Sequence, residues 1–538
     1  MSQDNSGGQS SIGGSDMTQA QTWNCGLYGD NVIATRNGET LIISGKGAMK
    51  NYDDVEARPW HESRGTITEV IIKDGVASIG NAVFGMVVSL KSVTIPNSVT
   101  SIGEAAFGEC TGLISVAIPD NVTSIGMSAF NGCSDLTSVT IGNGVTSIGK
   151  SAFCNCTKLV SINIGENVTS IGEAAFGNCT SLTSVTIGER VTSIGNVAFG
   201  MAVNLTSITI PNNVTSIGEG AFMGCASLTS VKISNSLTSI EEGTFAKCIG
   251  LKSITIPNGV ISIGDMAFDE CSGLTSVIIP NSVISIGEMA FDGCSGLTSV
   301  AIPNSVTSIG GKAFAKCTSL TSVTVGESVT SIGEAVFWGC TGLKSVTIPN
   351  GVTSIGDGAF LDCSGLKSII CLTQVPPRIG KLAFEAVGDA VLYVPKKSIR
   401  AYRTNKDWKY CPCFVNTLDK ATESDVARRK YIKKMIQQQS LRWPRLVILS
   451  ALLGMFGVDR FYVGKKITGF LKLISAGGYF IWWIIDFFRI ISGKFTDANG
   501  IVIKKQRNIG VLGVVYIVLA IIFFCVIFAA VVQVWMGR

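Results

Sequence analysis

The stretch "CTSLTSVTIGERVTSIGNVAF", residues 179–199, belongs to a repeat that fills more than half of a chain of 538 residues. Thirteen phenylalanines follow one another at a spacing of 23 residues, and a further one, Phe384, comes 24 residues after the last of them. The thirteen are Phe84, Phe107, Phe130, Phe153, Phe176, Phe199, Phe222, Phe245, Phe268, Phe291, Phe314, Phe337 and Phe360. Such uninterrupted self-similarity predicts a solenoid in which each unit buries its apolar side against its neighbours.

Apolar residues recur at fixed places within each unit, as at Leu182, Val185, Ile187, Val191 and Ile194. Because Val185 and Ile187 alternate with polar residues, "SVTI" predicts a short strand with both side chains facing inward. The equivalent strands of successive units then lie parallel at about 4.8 Å, so the thirteen units predict a rod about 60 Å long.

Two further columns of the repeat consist of small residues. Glycines such as Gly195, Gly218 and Gly264 predict a turn that needs a positive φ. In the other column Ala202 and Val87 replace cysteine, which indicates a buried, small position and not a metal or disulfide site. The cysteines of this column are Cys110, Cys133, Cys156, Cys179, Cys225, Cys248, Cys271, Cys294, Cys317, Cys340 and Cys363.

The unit "IGEAAFGNCTSLTSVTI", residues 171–187, resembles the BspA-like class of leucine-rich repeats in its length and in its Phe, Cys, Leu and Ile columns. The resemblance implies a leucine-rich repeat solenoid of short parallel strands. Residues 38–60 and 390–408 resemble the segments that cap such arrays and would cover the apolar end faces. The expected order is a disordered leader rich in Ser, Gly and Gln at 1–22, a cap at 23–70, the array at 71–370 and a second cap at 371–416.

The polar residues of the array argue against an enzyme. His61 is the single histidine, so it would have to serve alone in any His-dependent catalytic or metal site. The carboxylate pairs at 241–242 and 269–270 lie at loop positions, where a solvated edge without an enclosing cleft is expected. We therefore predict no catalytic residues, no metal and no cofactor.

The outward strand positions form a face of short, mostly hydroxyl-bearing side chains, at Thr140, Asn163, Thr186, Thr209, Lys232 and Thr255. This face either binds an extended protein partner or is inert, since threonine is also simply a good strand residue. Trp338, in the variable place after Phe337, is the bulky aromatic that we select as a candidate binding anchor.

Charge separates the array from the C-terminal region. Residues 71–370 carry a net charge of −8, whereas residues 371–538 carry +17. Basic charge beside apolar runs is typical of cytoplasmic membrane flanks, and we do not expect nucleic-acid binding. The basic linker at 417–442 is equally compatible with an amphipathic helix on an anionic membrane and with a soluble connector helix.

The apolar runs predict an α-helical membrane domain. Around "GMFGVDRFYVGK", residues 454–465, the chain resembles the two-transmembrane-helix domain defined by an Asp-Arg-Phe motif, here Asp459, Arg460 and Phe461. The resemblance covers 443–497, and an uncharged run at 508–536 predicts a third transmembrane helix. Charges within the predicted spans, Lys472 and Asp486, either mark an ion pathway or reach the interface from near a helix end.

Counting lysine and arginine in the flanks of three spans gives 12 on the side of the array and 4 on the other side. The side with the larger count is expected to be cytoplasmic. The absence of a signal-peptide pattern in the leader agrees. The leading hypothesis is a non-enzymatic, multi-pass scaffold of the bacterial inner membrane, with a cytoplasmic array that binds a protein of unknown identity. The alternative is a surface adhesin with the array outside, the location that the BspA-like resemblance implies.

Overall fold

The computed structural model describes residues 21–29, 31–408 and 414–417. Apart from residues 21, 22 and 417, the predicted leader, basic linker and membrane segments lie outside these residues. Within the described part of the chain, no helix is both long and apolar enough to cross a membrane.

An antiparallel sheet precedes the array, with strands Gln21–Asn24, Asn31–Asn37 and Thr40–Ala48. The third of these strands also pairs in parallel with Glu69–Ile72 and, through its end, with Val76–Ile79. These two strands begin separate series of parallel strands along the array. We call the series that starts at Glu69–Ile72 the long ladder and the other the short ladder.

The long ladder confirms the predicted solenoid of short parallel strands. Residues 23 positions apart are partners, as in Ser138 with Ser161 and Ser161 with Ser184. Its strands are Glu69–Ile72, Ser92–Thr94, Ser115–Ile118, Ser138–Ile141, Ser161–Ile164, Ser184–Ile187, Ser207–Thr209, Ser230–Lys232, Ser253–Thr255, Ser276–Ile278, Ser299–Ala301, Ser322–Thr324, Ser345–Ile348, Ser368–Cys371, Val391–Val394 and Phe414–Thr417.

The short ladder lies on a second side of the coil and was not predicted. Most of its strands are the two residues Ser-Ile in sequences such as "VTSIG". Two residues are too few to show the alternation of apolar and polar residues from which strands are predicted. Its strands are Val76–Ile79, Ser101–Ile102, Ser124–Ile125, Ser147–Ile148, Ser170–Ile171, Ser193–Ile194, Ser216–Ile217, Ser239–Ile240, Ser262–Ile263, Ser285–Ile286, Ser308–Ile309, Ser331–Ile332, Ser354–Ile355 and Arg378–Ile379.

The glycines that follow the short ladder do not have the positive φ that we predicted. Gly195 and Gly264 have no left-handed backbone, and the reason for glycine is instead the closeness of the preceding unit. A Cβ at Gly195 would lie 2.5 Å from the backbone nitrogen of Glu173, and one at Gly264 would lie 2.8 Å from the backbone carbonyl carbon of Glu241. The column is therefore glycine because neighbouring backbones touch there.

The left-handed residues lie on either side of each phenylalanine. In the unit of Phe176, Ala174 has φ 50° and Asn178 has φ 57°. This alternation turns the amides of Ala174, Phe176 and Asn178 toward the following unit, where each donates to a carbonyl oxygen 2.8 Å away. We call the six residues from three before to two after each phenylalanine the turn edge, as in 173–178. It is the third line of backbone hydrogen bonds between units.

A continuous column of aromatic rings fills the solenoid. From Phe84 to Phe384 the centroids of successive rings are 5.1–5.9 Å apart. Trp60 stacks on the first ring at 6.0 Å and Trp408 lies 5.6 Å from the last, so a tryptophan covers each end. Short helices lie near both ends: 3-10 helices at Val55–Ala57, His61–Ser63 and Lys396–Ser398, and an α-helix at Ile399–Thr404.

The cysteine column is buried, as predicted, and it has a further role. Each of its eleven thiols donates to the carbonyl oxygen of the preceding unit's phenylalanine, with sulfur-to-oxygen distances of 3.0–3.3 Å. Burial raises the pKa of most of these thiols, for Cys110 to about 12. The thiols therefore act as neutral donors between units and not as nucleophiles.

Candidate interaction surface

The strand faces are flat. The outward positions of the long ladder, which we singled out as a hydroxyl-rich face, are all exposed and carry mostly short side chains. Before most strands of the short ladder, a threonine hydroxyl bonds to the preceding unit, as from Thr146 Oγ1 to the carbonyl oxygen of Thr123 at 3.1 Å, whereas Ile261 and Ile284 take this place in two units. These hydroxyls hold units together and are already occupied, so this side of the coil has a structural role.

One unit departs from the repeat. Glu241 stands in the column that is glycine at Gly218 and Gly264. The short ladder is interrupted at this unit, because Ser216–Ile217 ends one sheet and Ser239–Ile240 begins the next. A side chain in this column would meet the backbone of the preceding unit, and we attribute this interruption to Glu241. The short ladder is also interrupted between Ser308–Ile309 and Ser331–Ile332, where Gly333 retains the glycine.

A groove of about 370 Å³ lies on the turn edge of this unit and its neighbours. Gly220 and Gly243, with φ 58° and 57°, occupy the place of Val197 and Met266, whose φ values are 53° and 51°. Because Gly220 and Gly243 have no side chains, a space remains between the side chains of the flanking units. This space is the groove. The lining residues are Glu173, Asn196, Val197, Glu219, Gly220, Met223, Glu242, Gly243, Ala246, Lys247, Met266 and Asp269.

The groove combines an apolar floor with an acidic rim. Valine, alanine and two methionines contribute the apolar surface, whereas Glu173, Glu219, Glu242 and Asp269 line it together with one cation, Lys247. Our expectation that the carboxylate pairs lie without a cleft was therefore wrong for Glu242 and Asp269. The signal in the sequence is the glycine at 220 and 243, two adjacent units in which a place that carries a side chain in most other units has none.

Asp269 is the rim carboxyl with the most perturbed environment. Burial, together with the neighbouring carboxylates of Glu270 and Asp292, raises its pKa to about 6 against the opposing effect of Lys247 and Lys316. A carboxyl group with this pKa is ionised at neutral pH at an energetic cost, which an added positive charge would relieve.

Trp338, the candidate anchor, lies on the same turn edge, three units beyond Asp269. It is half-buried, with Lys316 Nζ 5.2 Å from the ring centroid and with Nε1 donating to Asp362 Oδ2 at 3.4 Å. Lys316 Nζ is also 3.5 Å from Asp292 Oδ2. The ring is thus held in place by charged neighbours, and its role as an anchor remains a prediction.

The other residues predicted from sequence do not join this surface. Asp459, Arg460, Phe461, Lys472 and Asp486 lie outside the described residues. His61 is half-buried in a 3-10 helix ahead of the array. In the part of the chain that the structure describes, no three His, Cys, Asp or Glu side chains come together as a metal site.

Comparison with known families agrees with the fold. Residues 61–181, 146–275 and 261–388 match the BspA-type leucine-rich repeat region. The chain belongs to this family. A leucine-rich repeat protein from Bacteroides ovatus has a similar solved structure, with 30% identity, a TM-score of 0.57, and coverage of 72% of this chain and 98% of that one.

A second family accounts for part of the region beyond the BspA-type array. Residues 444–488 match the TM2 domain. TM2 domain-containing protein 3 of Xenopus tropicalis is 46% identical over 59 residues, 11% of this chain and 24% of that protein. The human protein of the same name is 44% identical over 59 residues, with the same coverage. The chain thus spans about a quarter of the length of these relatives.

The BspA-type array and the TM2 domain together identify a membrane-associated repeat protein. Neither a leucine-rich repeat solenoid nor a TM2 domain is known as an enzyme family.

Proposed function

We propose that the protein is a non-enzymatic scaffold, held at a membrane by its C-terminal domain, whose array binds a partner protein along the turn edge. The observation that carries the proposal is the groove at Gly220 and Gly243. Binding sites of proteins are typically concave, with an apolar lining and a few placed polar groups, and the groove has both. The flat strand faces offer less for recognition.

The turn edge is suited to an extended partner. Units repeat at about 4.8 Å, so Met223, in the groove, and Trp338, five units further along, are about 24 Å apart. A partner segment of about seven extended residues spans this distance. One segment could therefore contact the groove and Trp338 together, which would make the aromatic ring an anchor at one end of the site.

We further propose that the array faces the cytoplasm. The 12 lysines and arginines on the array side of the predicted spans, against 4 on the other, support this orientation. Protease added to intact cells should then leave the array whole, whereas protease added to inside-out membrane vesicles should remove it. Loss of the array from unbroken cells would establish the alternative, a surface adhesin.

Photo-crosslinking in cells tests the binding surface. A benzophenone amino acid placed at Met223 or Trp338 should give the same discrete crosslinked protein from both positions. The same group at the exposed strand-face positions Thr186 and Thr209 serves as the control and should give none. Adducts that form only from the strand face would overturn the turn-edge proposal, and the absence of adducts at all four positions would count against a scaffold.

A further inference from the structure

The two glycines of the groove are not required by the fold. Their left-handed backbone is shared by valine, methionine, alanine, serine and lysine at the same place in other units. A Cβ at Gly220 would be 3.6 Å from Val197 Cγ2, and one at Gly243 would be 3.9 Å from Ala246 Cβ, which are ordinary contact distances. The main structural effect of the two glycines is therefore the space that they leave.

The rim holds negative charge that the chain does not neutralise. Glu173 is 3.0 Å from Lys150 Nζ and is thus already paired. Glu219 and Glu242, at equivalent places of adjacent units, have no ion-pair partner within the described ranges. Because strands of adjacent units are about 4.8 Å apart, these two carboxylates lie on neighbouring levels of the rim and reinforce one another's potential.

A buried acceptor lies on the turn edge one unit beyond Asp269. Asp292 is only 8% exposed, and its Oδ1 has no hydrogen-bond partner among the described residues. Its other oxygen is 3.5 Å from Lys316 Nζ, a long contact for an ion pair. Asp292 does not itself line the groove, but buried carboxylate oxygens normally have partners, so the turn edge beside the groove has an excess of acceptors over donors.

We propose that the groove accepts a lysine or arginine side chain of the partner segment, with an adjacent apolar residue of that segment on the floor. The inference rests on the proposed function, because it names the chemistry of the partner that the scaffold binds. The cation neutralises Glu219 and Glu242, and the neighbouring residue covers the apolar surface of Met223 and Met266.

The floor and rim match the two parts of such a side chain. Lysine and arginine place an aliphatic stem along apolar surface while the charged group remains at a polar edge. Methionine side chains are flexible and polarizable, so Met223 and Met266 can adapt to stems of different shape. Arginine adds planar, bidentate hydrogen bonding to carboxylates, so we expect it to bind at least as well as lysine.

Peptide binding to the full chain in lipid nanodiscs tests this inference. The probes are ten-residue libraries with a fixed central Leu-Arg pair and randomised flanks, compared with libraries that carry Leu-citrulline or Leu-Glu. We expect the Leu-Arg library to bind roughly tenfold more tightly than the Leu-citrulline library, and to weaken as salt is raised. Equal binding of the three libraries would overturn the inference.

Variants locate the binding within the groove. The double substitution Gly220→Met and Gly243→Met fills the groove with a residue that the column already accepts, and should abolish the preference for arginine. Gly358→Met is the control, since Gly358 has φ 58° in the same column and lies outside the groove. Unchanged preference in the filled variant would overturn the inference.

Charge variants test the rim separately. Replacing Glu219 and Glu242 together by glutamine should lower affinity for the Leu-Arg library roughly tenfold. Replacing Glu104 and Glu334, at equivalent but distant places on the turn edge, should leave it unchanged. Equal losses of affinity from both double variants would show that the negative charge of the whole array attracts the peptide, and would overturn the inference.

Failure of the groove inference is distinguishable from failure of the scaffold proposal. If the crosslink from Trp338 persists in the filled variant while peptide preference is unaffected, the scaffold holds and the groove inference is wrong. If no crosslink forms at any position of the turn edge, the scaffold proposal itself is wrong.

Discussion

Two stretches of the same array differ in how closely they follow the repeat. Between Phe107 and Phe199 successive rings are 5.1–5.4 Å apart and within 6° of parallel. On either side of Phe245 the spacing is 5.6 Å and the angles are 7° and 11°. The short ladder is continuous in the first stretch and interrupted in the second, where Glu241 replaces a glycine.

The difference shows which parts of a unit the fold requires. The phenylalanine and cysteine columns continue through the irregular unit, with Phe245 and Cys248 both buried. The surface residues around these columns differ from the repeat, and the groove lies on the turn edge of this unit and its neighbours. A solenoid tolerates such a change because each unit depends mainly on its nearest neighbours. Departure from the repeat is therefore a better pointer to a candidate binding surface than the repeat itself.

The largest difference in stability between the two stretches is expected when a phenylalanine of the ring column is replaced by alanine. Phe153→Ala should destabilise the array by about 4 kcal/mol, because a buried cavity opens between two close-packed rings. Phe245→Ala should cost about 3 kcal/mol, since the looser surroundings of that unit relax into the space. Urea dependence of amide exchange in the full chain measures both. Equal costs would show that the two stretches are equally rigid.

The next effect comes from exchanging the residues of the glycine column. Gly172→Ala, in the regular stretch, places a Cβ 2.6 Å from the backbone of Gly149 and should destabilise the array by about 2 kcal/mol. Glu241→Gly should stabilise the irregular unit by about 1 kcal/mol, because the short ladder can then close.

Amide exchange near Thr238 and Ile240 reports on that closure, with Glu242→Gly as the control outside the glycine column. No added protection in the Glu241→Gly variant would mean that another residue causes the interruption.

The columns of the repeat explain why the solenoid was predictable while the groove was not. Phe176 and Ile187 recur at a fixed spacing, and periodic burial of large apolar residues is a strong signal of fold. The groove depends on the absence of side chains at Gly220 and Gly243, in a chain where many other glycines follow the repeat. Only the three-dimensional course of the turn edge shows which glycines leave space.

The same contrast holds for backbone geometry. We attributed a positive φ to Gly195, yet the left-handed positions carry residues such as Val197 and Ala174. A β-branched residue in this conformation is uncommon, and no local pattern predicts it. The hydrogen bonds to the following unit, such as from the amide of Val197 to the carbonyl oxygen of Glu219 at 2.8 Å, outweigh that local preference.

A smaller effect is the pH dependence of stability, which should differ between the two stretches. The pKa of Asp269 is about 6 in the folded chain, against an ordinary value of 3.8, so the unfolded chain releases this proton first as pH rises. Stability of the irregular stretch should therefore fall between about pH 4 and pH 6 and change little above. Asp269→Asn should remove that slope and raise stability at pH 7 by about 1 kcal/mol, after allowance for solvent screening.

Amide exchange across this pH range, corrected for intrinsic rates, measures the slope. Glu270, Asp292, Lys247 and Lys316 surround the carboxyl group, so Glu270→Gln should reduce the slope without abolishing it. An unchanged slope in Asp269→Asn would assign the pH dependence to another group.

The smallest effect concerns the gap in the cysteine column, at the border between the stretches. Ala202 leaves the carbonyl oxygen of Phe176 without the thiol donor that equivalent carbonyls have. Ala202→Cys should supply it and stabilise the neighbouring units by about 0.5 kcal/mol, the lower end for a hydrogen bond. Ala202→Val, of similar bulk without a donor, is the control. If valine stabilises as much as cysteine, the column serves packing alone, and the thiol hydrogen bonds contribute no measurable stability.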